Sequence, residues 1–164
     1  MVDVYKYIVE NKIDPSMTAV NGVGFRAILN VLQIDTAVEI GTYQGSSAAY
    51  IAQFANKVHT FDIFNYYKSQ PWKELGLEDK ITYHLVKNKE EIRQILQTIE
   101  FDFAFIDNGH EYEECKADFE LVKHCGRVLF HDVEHLAFKG VRQFTDELGN
   151  VRIVDNLGYW SNKW

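Results

Sequence analysis

Short, largely apolar runs alternate along this chain with stretches whose apolar residues recur every three or four positions. The runs are Ala37–Ile40, Val58–Ile63, Ile81–Val86, Phe101–Ile106, Gly126–Phe130 and Val151–Val154, each short enough to be a strand. Between them, Ala48, Ile51, Ala52 and Ala55 keep helical spacing, as do Ile92, Ile95 and Leu96 within Lys89–Ile99, and then Tyr112, Cys115, Phe119 and Val122. A further helix is expected over Val141–Leu148. A strand that is apolar along its whole length is covered on both faces. Strands alternating with helices therefore predict a parallel sheet with right-handed crossovers, a doubly wound α/β fold with helices on both faces. The tail LGYWSNKW leaves room for a seventh strand after a turn at Leu157-Gly158.

Upstream, Val4, Tyr7 and Ile8 fit a short helix that Asp14-Pro15 would end. Phe25, Ile28, Leu29 and Leu32 fit a second helix over about Gly22–Leu32. No linker or repeat divides the chain, so 1–164 reads as one domain, with the N-terminal helices of residues 1–33 packing on the core. A hydrophobic content of 46% excludes a disordered chain, and charges interrupt every apolar stretch before it reaches membrane-span length. A net charge of -7 argues against a nucleic-acid partner, which needs clustered Lys and Arg. The opening MVDVYKYIVE has no signal-peptide pattern, so a cytoplasmic location is expected. Cys115 and Cys125 have no metal-finger spacing and are expected to be free thiols.

In a doubly wound sheet, ligands sit beyond the carboxyl ends of the strands, where the strand order reverses. The first strand is followed by EIGTYQGSS, residues 39–47. Gly41 permits backbone that other residues resist, Gly45 lets a ligand or the following helix approach without a Cβ in the way, and the amides near Ser46 and Ser47 open a helix that attracts an anionic group. Alone, this stretch reads equally well as a plain turn with a serine cap. Asp62 ends the second strand, 21 residues beyond Gly41, the spacing at which an acid binds a ribose diol in nucleotide sites. The fourth strand is followed by Asp107, Asn108, Gly109 and His110, and the fifth by His131 and Asp132. As sheet neighbours across the switch point, these two ends could bring Asp107, His110, His131 and Asp132 together, an arrangement that suits a divalent ion such as Mg, Mn, Fe or Zn. The competing reading makes the acids caps and the histidines polar filler. His110 or His131 is the candidate general base. His59, His84 and His124 are assigned structural roles.

With these residues in place, the sequence resembles class I S-adenosylmethionine-dependent methyltransferases. The nearest branch is the small-molecule O-methyltransferase group, with a Glu-x-Gly-x-x-x-Gly first motif and Ile-Asp-Gly-x-His-x-Tyr-Glu after strand four. EIGTYQGSS, FIDNGHEYE and GRVLFHD carry the resemblance, which runs from about Ile34 to Leu148. It implies a Rossmann-like sheet of seven strands, mostly parallel with the last antiparallel. It also implies that Glu39, Gly41, Thr42, Tyr43, Gly45 and Ser46 surround the cofactor's methionine part, that Asp62 holds the ribose, that Ile63 touches the adenine, and that Asp107 borders the cofactor. Lys87 or Asn88 stands where relatives complete the adenine pocket with an acid. In metal-dependent relatives the positions of Asp107, His131 and Asp132 hold Mg or Mn, and His131 departs from the commoner acid.

The resemblance implies methyl transfer to an oxygen of a small molecule or sugar, with metal assistance as an option and a homo-oligomer compatible with the short chain. Two other readings follow from the same residues. One is a cofactor-binding domain that needs a partner for turnover. The other is a nicotinamide-dependent oxidoreductase, against which Tyr43 counts, since it stands where a glycine should approach a pyrophosphate.

Overall fold

In the computed structural model, which describes residues 3–13, 19–66 and 70–163, the first strand β1 (Ile34–Ile40) lies at the centre of a sheet. The other strands are β2 (Ala55–Asp62), β3 (Ile81–Leu85), β4 (Phe103–Ile106), β5 (Arg127–Phe130), β6 (Val151–Val154) and β7 (Leu157–Ser161). Their order among the described residues is β3-β2-β1-β4-β5-β7-β6, with β7 antiparallel to both neighbours and the remaining pairings parallel. This is the Rossmann-like arrangement expected, with one refinement. The order reverses between β1 and β4, so β4 and β5 are neighbours on one side of the switch point and do not flank it.

Alternate residues of the central strands feed two separate apolar layers, as a period of two requires. Ala37, Phe103, Phe105 and Leu129 face α1 (Val4–Glu10), α2 (Ala19–Val31), α3 (Ser46–Ala52) and α4 (Gln70–Glu74). Val38, Ala104, Ile106, Val128 and Phe130 face α5 (Lys89–Leu96), α6 (Tyr112–Val122) and α7 (Lys139–Leu148). The buried Ala48, Ala49 and Ala52 bring α3 close to the sheet. Phe105 has no exposed surface and packs 4.8 Å from the Phe25 ring, tying α2 to β4. Truncating such a ring to alanine costs about 3 to 5 kcal/mol.

Strand ends moved for identifiable reasons. β1 begins at Ile34 because the Asp102 carboxylate accepts the Asp35 and Thr36 amides, at 3.1 and 3.0 Å, and Ile34 pairs with Ala55. The turn expected at Leu157-Gly158 lies instead at Asp155-Asn156, with Asp155 in the left-handed region at φ 55°. Gly158 is inside β7, where a Cβ would come within 2.8 Å of Val133 and 3.0 Å of Val151. The Asp14-Pro15 break, residues 67–69 and the final Trp164 lie outside the described residues. Cys115 and Cys125 are free thiols. No helix among the described residues is long and apolar enough to cross a membrane.

Candidate functional site

Sheet register builds the site. Ile40 pairs with Phe61 and Ile106, and Ile106 with Phe130, so the next residue of each strand emerges on one edge. Three backbone hydrogen bonds continue this ladder past the strand ends: Gly41 N to Phe61 O at 2.9 Å, Asp107 N to Ile40 O at 2.9 Å, and His131 N to Ile106 O at 3.0 Å. Gly41, Asp62, Asp107 and His131 are therefore aligned by the parallel pairing itself. At Gly41, φ is 102°, and a Cβ would stand 1.9 Å from the Asp107 carbonyl oxygen. Only glycine lets the turns after β1 and β4 meet so closely.

A cavity of about 310 Å³ opens above this edge. The turn after β1 contributes Gly41, Thr42, Tyr43 and Ser47 to its wall, and the end of β2 contributes Asp62, Phe64 and Tyr66. Asp107, Asn108 and His110 line it from the β4 side and Asp132 from the β5 side. Asp62 is fixed by two backbone amides, Tyr43 N to Oδ2 at 2.7 Å and Phe64 N to Oδ1 at 2.8 Å. Each oxygen keeps a further lone pair, which suits the carboxylate to a pair of neighbouring hydroxyls. Tyr43 and Asp132, both on the cavity wall, occupy the left-handed region at φ 45° and 59°, a conformation that costs free energy for a non-glycine residue.

The sequence-derived candidates divide into two groups. Gly41, Thr42, Tyr43, Asp62, Asp107, His110 and Asp132 meet at the cavity. Glu39, Gly45, Ser46, Ile63 and His131 are not among its lining residues. Gly45, at φ 87°, is covered by Trp72, whose Nε1 donates to the Gly45 carbonyl oxygen at 2.8 Å, and a Cβ there would sit 2.7 Å from the indole. The close approach predicted for Gly45 is thus made by a side chain of α4. Ile63, half exposed, projects beyond β2, while Phe64 and Tyr66 take the cavity wall. Of the other lining residues, Ser47 is expected from sequence only as part of a helix start that attracts an anionic group, Asn108 only as one of the residues after the fourth strand, and Phe64 and Tyr66 only as part of FNYYKSQPWKEL, a stretch aromatic enough for a pocket wall or an oligomer contact but more in keeping with packing. Ser47 and Asn108 lay within the quoted motifs, whereas the direction of Phe64 and Tyr66 depends on a loop with no periodicity to read. Lys87 and Asn88 also stay away from the cavity: Asn88 caps α5 by accepting Glu91 N at 3.0 Å. His59 and His84 pair with each other at 3.1 Å, Nδ1 to Nε2, on the sheet surface.

Beneath the floor lies a buried polar chain. Thr42 and Thr60 share a 2.5 Å hydroxyl contact, and Thr60 donates to Glu39 Oε2 at 2.5 Å. Glu39 is fully buried, and burial pushes its carboxyl up to about 8. The Ser47 and Thr60 hydroxyls favour the charged form without offsetting that cost, and Asp107 and Asp62 add to it. Ser47 makes no aligned hydrogen bond to Oε1, which has no partner among the described residues.

At the β4 and β5 ends, His131 Nδ1 lies 3.1 Å from Asp107 Oδ1 and 3.4 Å from Asp132 Oδ2. Burial alone would lower the His131 ring, but hydrogen bonding and charge from Asp107 and Asp132 raise it to about 10. It is an imidazolium near neutral pH. Burial would raise Asp132, yet His110, His131 and Asn156 hold it well below the usual carboxylate range. His110 Nε2 is 2.9 Å from Asp132 Oδ2 but is not aligned as a hydrogen bond. Its ring stacks on Phe138, centroids 3.8 Å apart, and Phe138 stacks in turn on His135 at 4.3 Å. One donor atom each from Asp107, His131 and Asp132 lie within 4.8 Å of one another. Two carboxylates and an imidazole are a donor set that fits a divalent cation, provided His131 gives up its proton.

Residues 38–133 match the model of a family described as a methyltransferase domain. No curated protein matches the chain by sequence. Among solved structures, an O-methyltransferase from Bacillus cereus in complex with SAH superposes with a TM-score of 0.72 at 16% identity, over 98% of this chain and 89% of that one. TomG of Streptomyces achromogenes, an O-methyltransferase involved in tomaymycin synthesis, in complex with SAM, gives 0.72 at 17% identity, over 98% and 90%. The SAH-bound methyltransferase PaMTH1 of Podospora anserina gives 0.67 at 16%, over 99% and 89%. These likenesses establish a class I O-methyltransferase-like fold.

Proposed function

The chain belongs to the methyltransferase-domain family, and from that premise we propose that it transfers a methyl group from S-adenosylmethionine to an oxygen of a small molecule or sugar. The observation that carries this reading is Asp62. Its carboxylate ends β2 beside the switch point, both oxygens anchored by backbone amides and the group facing the cavity, as a ribose diol requires. Asp62, Asp107 and Asp132 give the cavity an acidic lining, which suits a positively charged sulfonium.

Bound S-adenosylmethionine supplies an electrophilic methyl group on that sulfonium. The chain's own task is to align an acceptor oxygen and to take its proton. His110 is assigned that task. It lines the cavity, is held in place by the Phe138 ring, and turns Nε2 toward the ionised Asp132, which favours the Nε2-protonated tautomer and leaves Nδ1 as the base. His131 is a poor base, because it already carries its proton between two carboxylates. It serves instead to hold Asp107 and Asp132 together. With the His131 proton released, Asp107, His131 and Asp132 would hold a divalent ion such as Mg or Mn, whose charge would make the acceptor hydroxyl more acidic.

Titration calorimetry with S-adenosylmethionine and with its demethylated product, SAH, tests the reading. Stoichiometric binding of both, weakened about 100-fold in Asp62→Ala, is expected from losing a two-point carboxylate contact. Absence of any heat from either compound would refute it.

A further inference from the structure

Asn108 follows Asp107 on the cavity wall. Its Nδ2 donates to Asp118 Oδ2 at 3.2 Å, and Asp118, on α6, is fully buried. The other oxygen of Asp118 lies 2.8 Å from Nζ of Lys89, the first residue of α5. Lys89 also donates to the Glu114 carbonyl oxygen at 2.9 Å. Burial raises the Asp118 carboxyl, and Lys89 and Asn108 oppose that rise; with the Lys89 ammonium on one oxygen, the carboxylate accepts on the other, so the amide faces Asp118 with its NH2 end. The carbonyl Oδ1 is then the free end. Among the described residues it receives no hydrogen bond, and it is not enclosed by protein.

We infer that Asn108 is a specificity residue whose amide is locked by Asp118 and Lys89, so that the cavity presents a fixed hydrogen-bond acceptor to a hydroxyl or ammonium donor on the bound molecule. An unlocked asparagine can rotate and serve a donor or an acceptor alike. The lock removes that choice, and a ligand carrying a carbonyl or carboxylate at this point is rejected because two acceptors face each other. Asp118 acts through Asn108 and is a positioning residue. The ligand half of the inference rests on the S-adenosylmethionine reading above, whereas the lock does not.

Two measurements test it. In 15N-resolved NMR of the unliganded protein, the Asn108 side-chain NH2 pair is expected to show one proton protected from solvent exchange, with the protection lost in Asp118→Asn. An unprotected pair in the wild type would overturn the lock. SAH is then titrated into the wild type, Asn108→Ala, Asp118→Asn and the double variant. Each single change is expected to weaken SAH about 10-fold, and the double variant to be no worse than Asn108→Ala alone, because both act on one hydrogen bond. Asn108→Ala leaves the buried Lys89–Asp118 pair intact, so it carries this comparison even if Asp118→Asn does not fold. Wild-type affinity in Asn108→Ala would overturn the ligand half. A wild type that does not bind SAH at all would overturn the methyl-donor reading and the ligand half together, with the lock decided by the NMR result.

Discussion

Replacing Glu39 with glutamine should change how the stability of this protein responds to pH. The Glu39 carboxyl is fully buried and titrates at about 8, against 4.5 for an exposed glutamate. Because the folded value is raised, the group contributes most favourably below pH 4.5, and that contribution is lost as pH rises through about 8. Across that window the folded state holds a proton the unfolded state has released, at about 1.4 kcal/mol per pH unit. The cost comes to about 3 kcal/mol at pH 7 and about 5 kcal/mol above pH 8, both following from the raised carboxyl. A glutamine has no proton to lose, so Glu39→Gln should be free of this slope. Any constant difference, such as the fit of the amide nitrogen beside the unpaired Oε1 position, shifts the whole curve and not its shape. Other titrating groups are common to both proteins and cancel in the difference. The assay is chemical denaturation of both proteins from pH 4 to pH 9. Between pH 5 and pH 8 the variant should gain about 4 kcal/mol on the wild type, equivalent to roughly 8 to 16 °C in melting temperature for a chain of this size. Parallel curves would show that Glu39 is ionised in the fold and that the account of the buried chain beneath the cavity is wrong.

Binding of S-adenosylmethionine should lower the Glu39 carboxyl through its positive charge, so calorimetry in buffers of differing ionisation enthalpy should detect proton release near pH 7 that Glu39→Gln abolishes. Gly41→Ala should cost at least about 3 kcal/mol of stability in urea denaturation, since its Cβ would stand 1.9 Å from backbone oxygen at a positive φ. Phe138→Ala should lower turnover more than it raises the cofactor dissociation constant, because the ring stacks on His110 and is not among the residues lining the cavity; equal effects on both would contradict the assignment of His110 as base. Asp107→Asn with Asp132→Asn should abolish Mn binding read by electron paramagnetic resonance, and retained high-affinity Mn would place the ion elsewhere.

The sheet was legible in the sequence because its central strands are buried on both faces and so appear as apolar runs. Ala37 to Ile40 and Phe103 to Ile106 each feed both apolar layers. The start of β1 was not legible, since Asp35 and Thr36 look like loop residues until Asp102, distant in sequence, accepts their amides. Gly158 was misread for a related reason. It looked like a turn, but its missing Cβ makes room for Val133 and Val151, and Asp155 makes the turn. At the site, the spacing from Gly41 to Asp62 and the acids after β4 and β5 were readable because parallel register aligns strand ends. Gly45 shows the limit: nothing near it in sequence announces that Trp72 fills the space above it. Phe64, Tyr66 and Asn108 owe their places on the wall to loop paths and to the buried Asp118, and local pattern records neither.

The central claim is that S-adenosylmethionine binds over the switch point with its ribose on Asp62. A crystal structure of the protein grown with SAH tests this most directly. The account predicts the two ribose hydroxyls within hydrogen-bonding distance of the Asp62 carboxylate, and the sulfur between Gly41 and Asp107. SAH bound away from Asp62, or absent at saturating concentration, would contradict it.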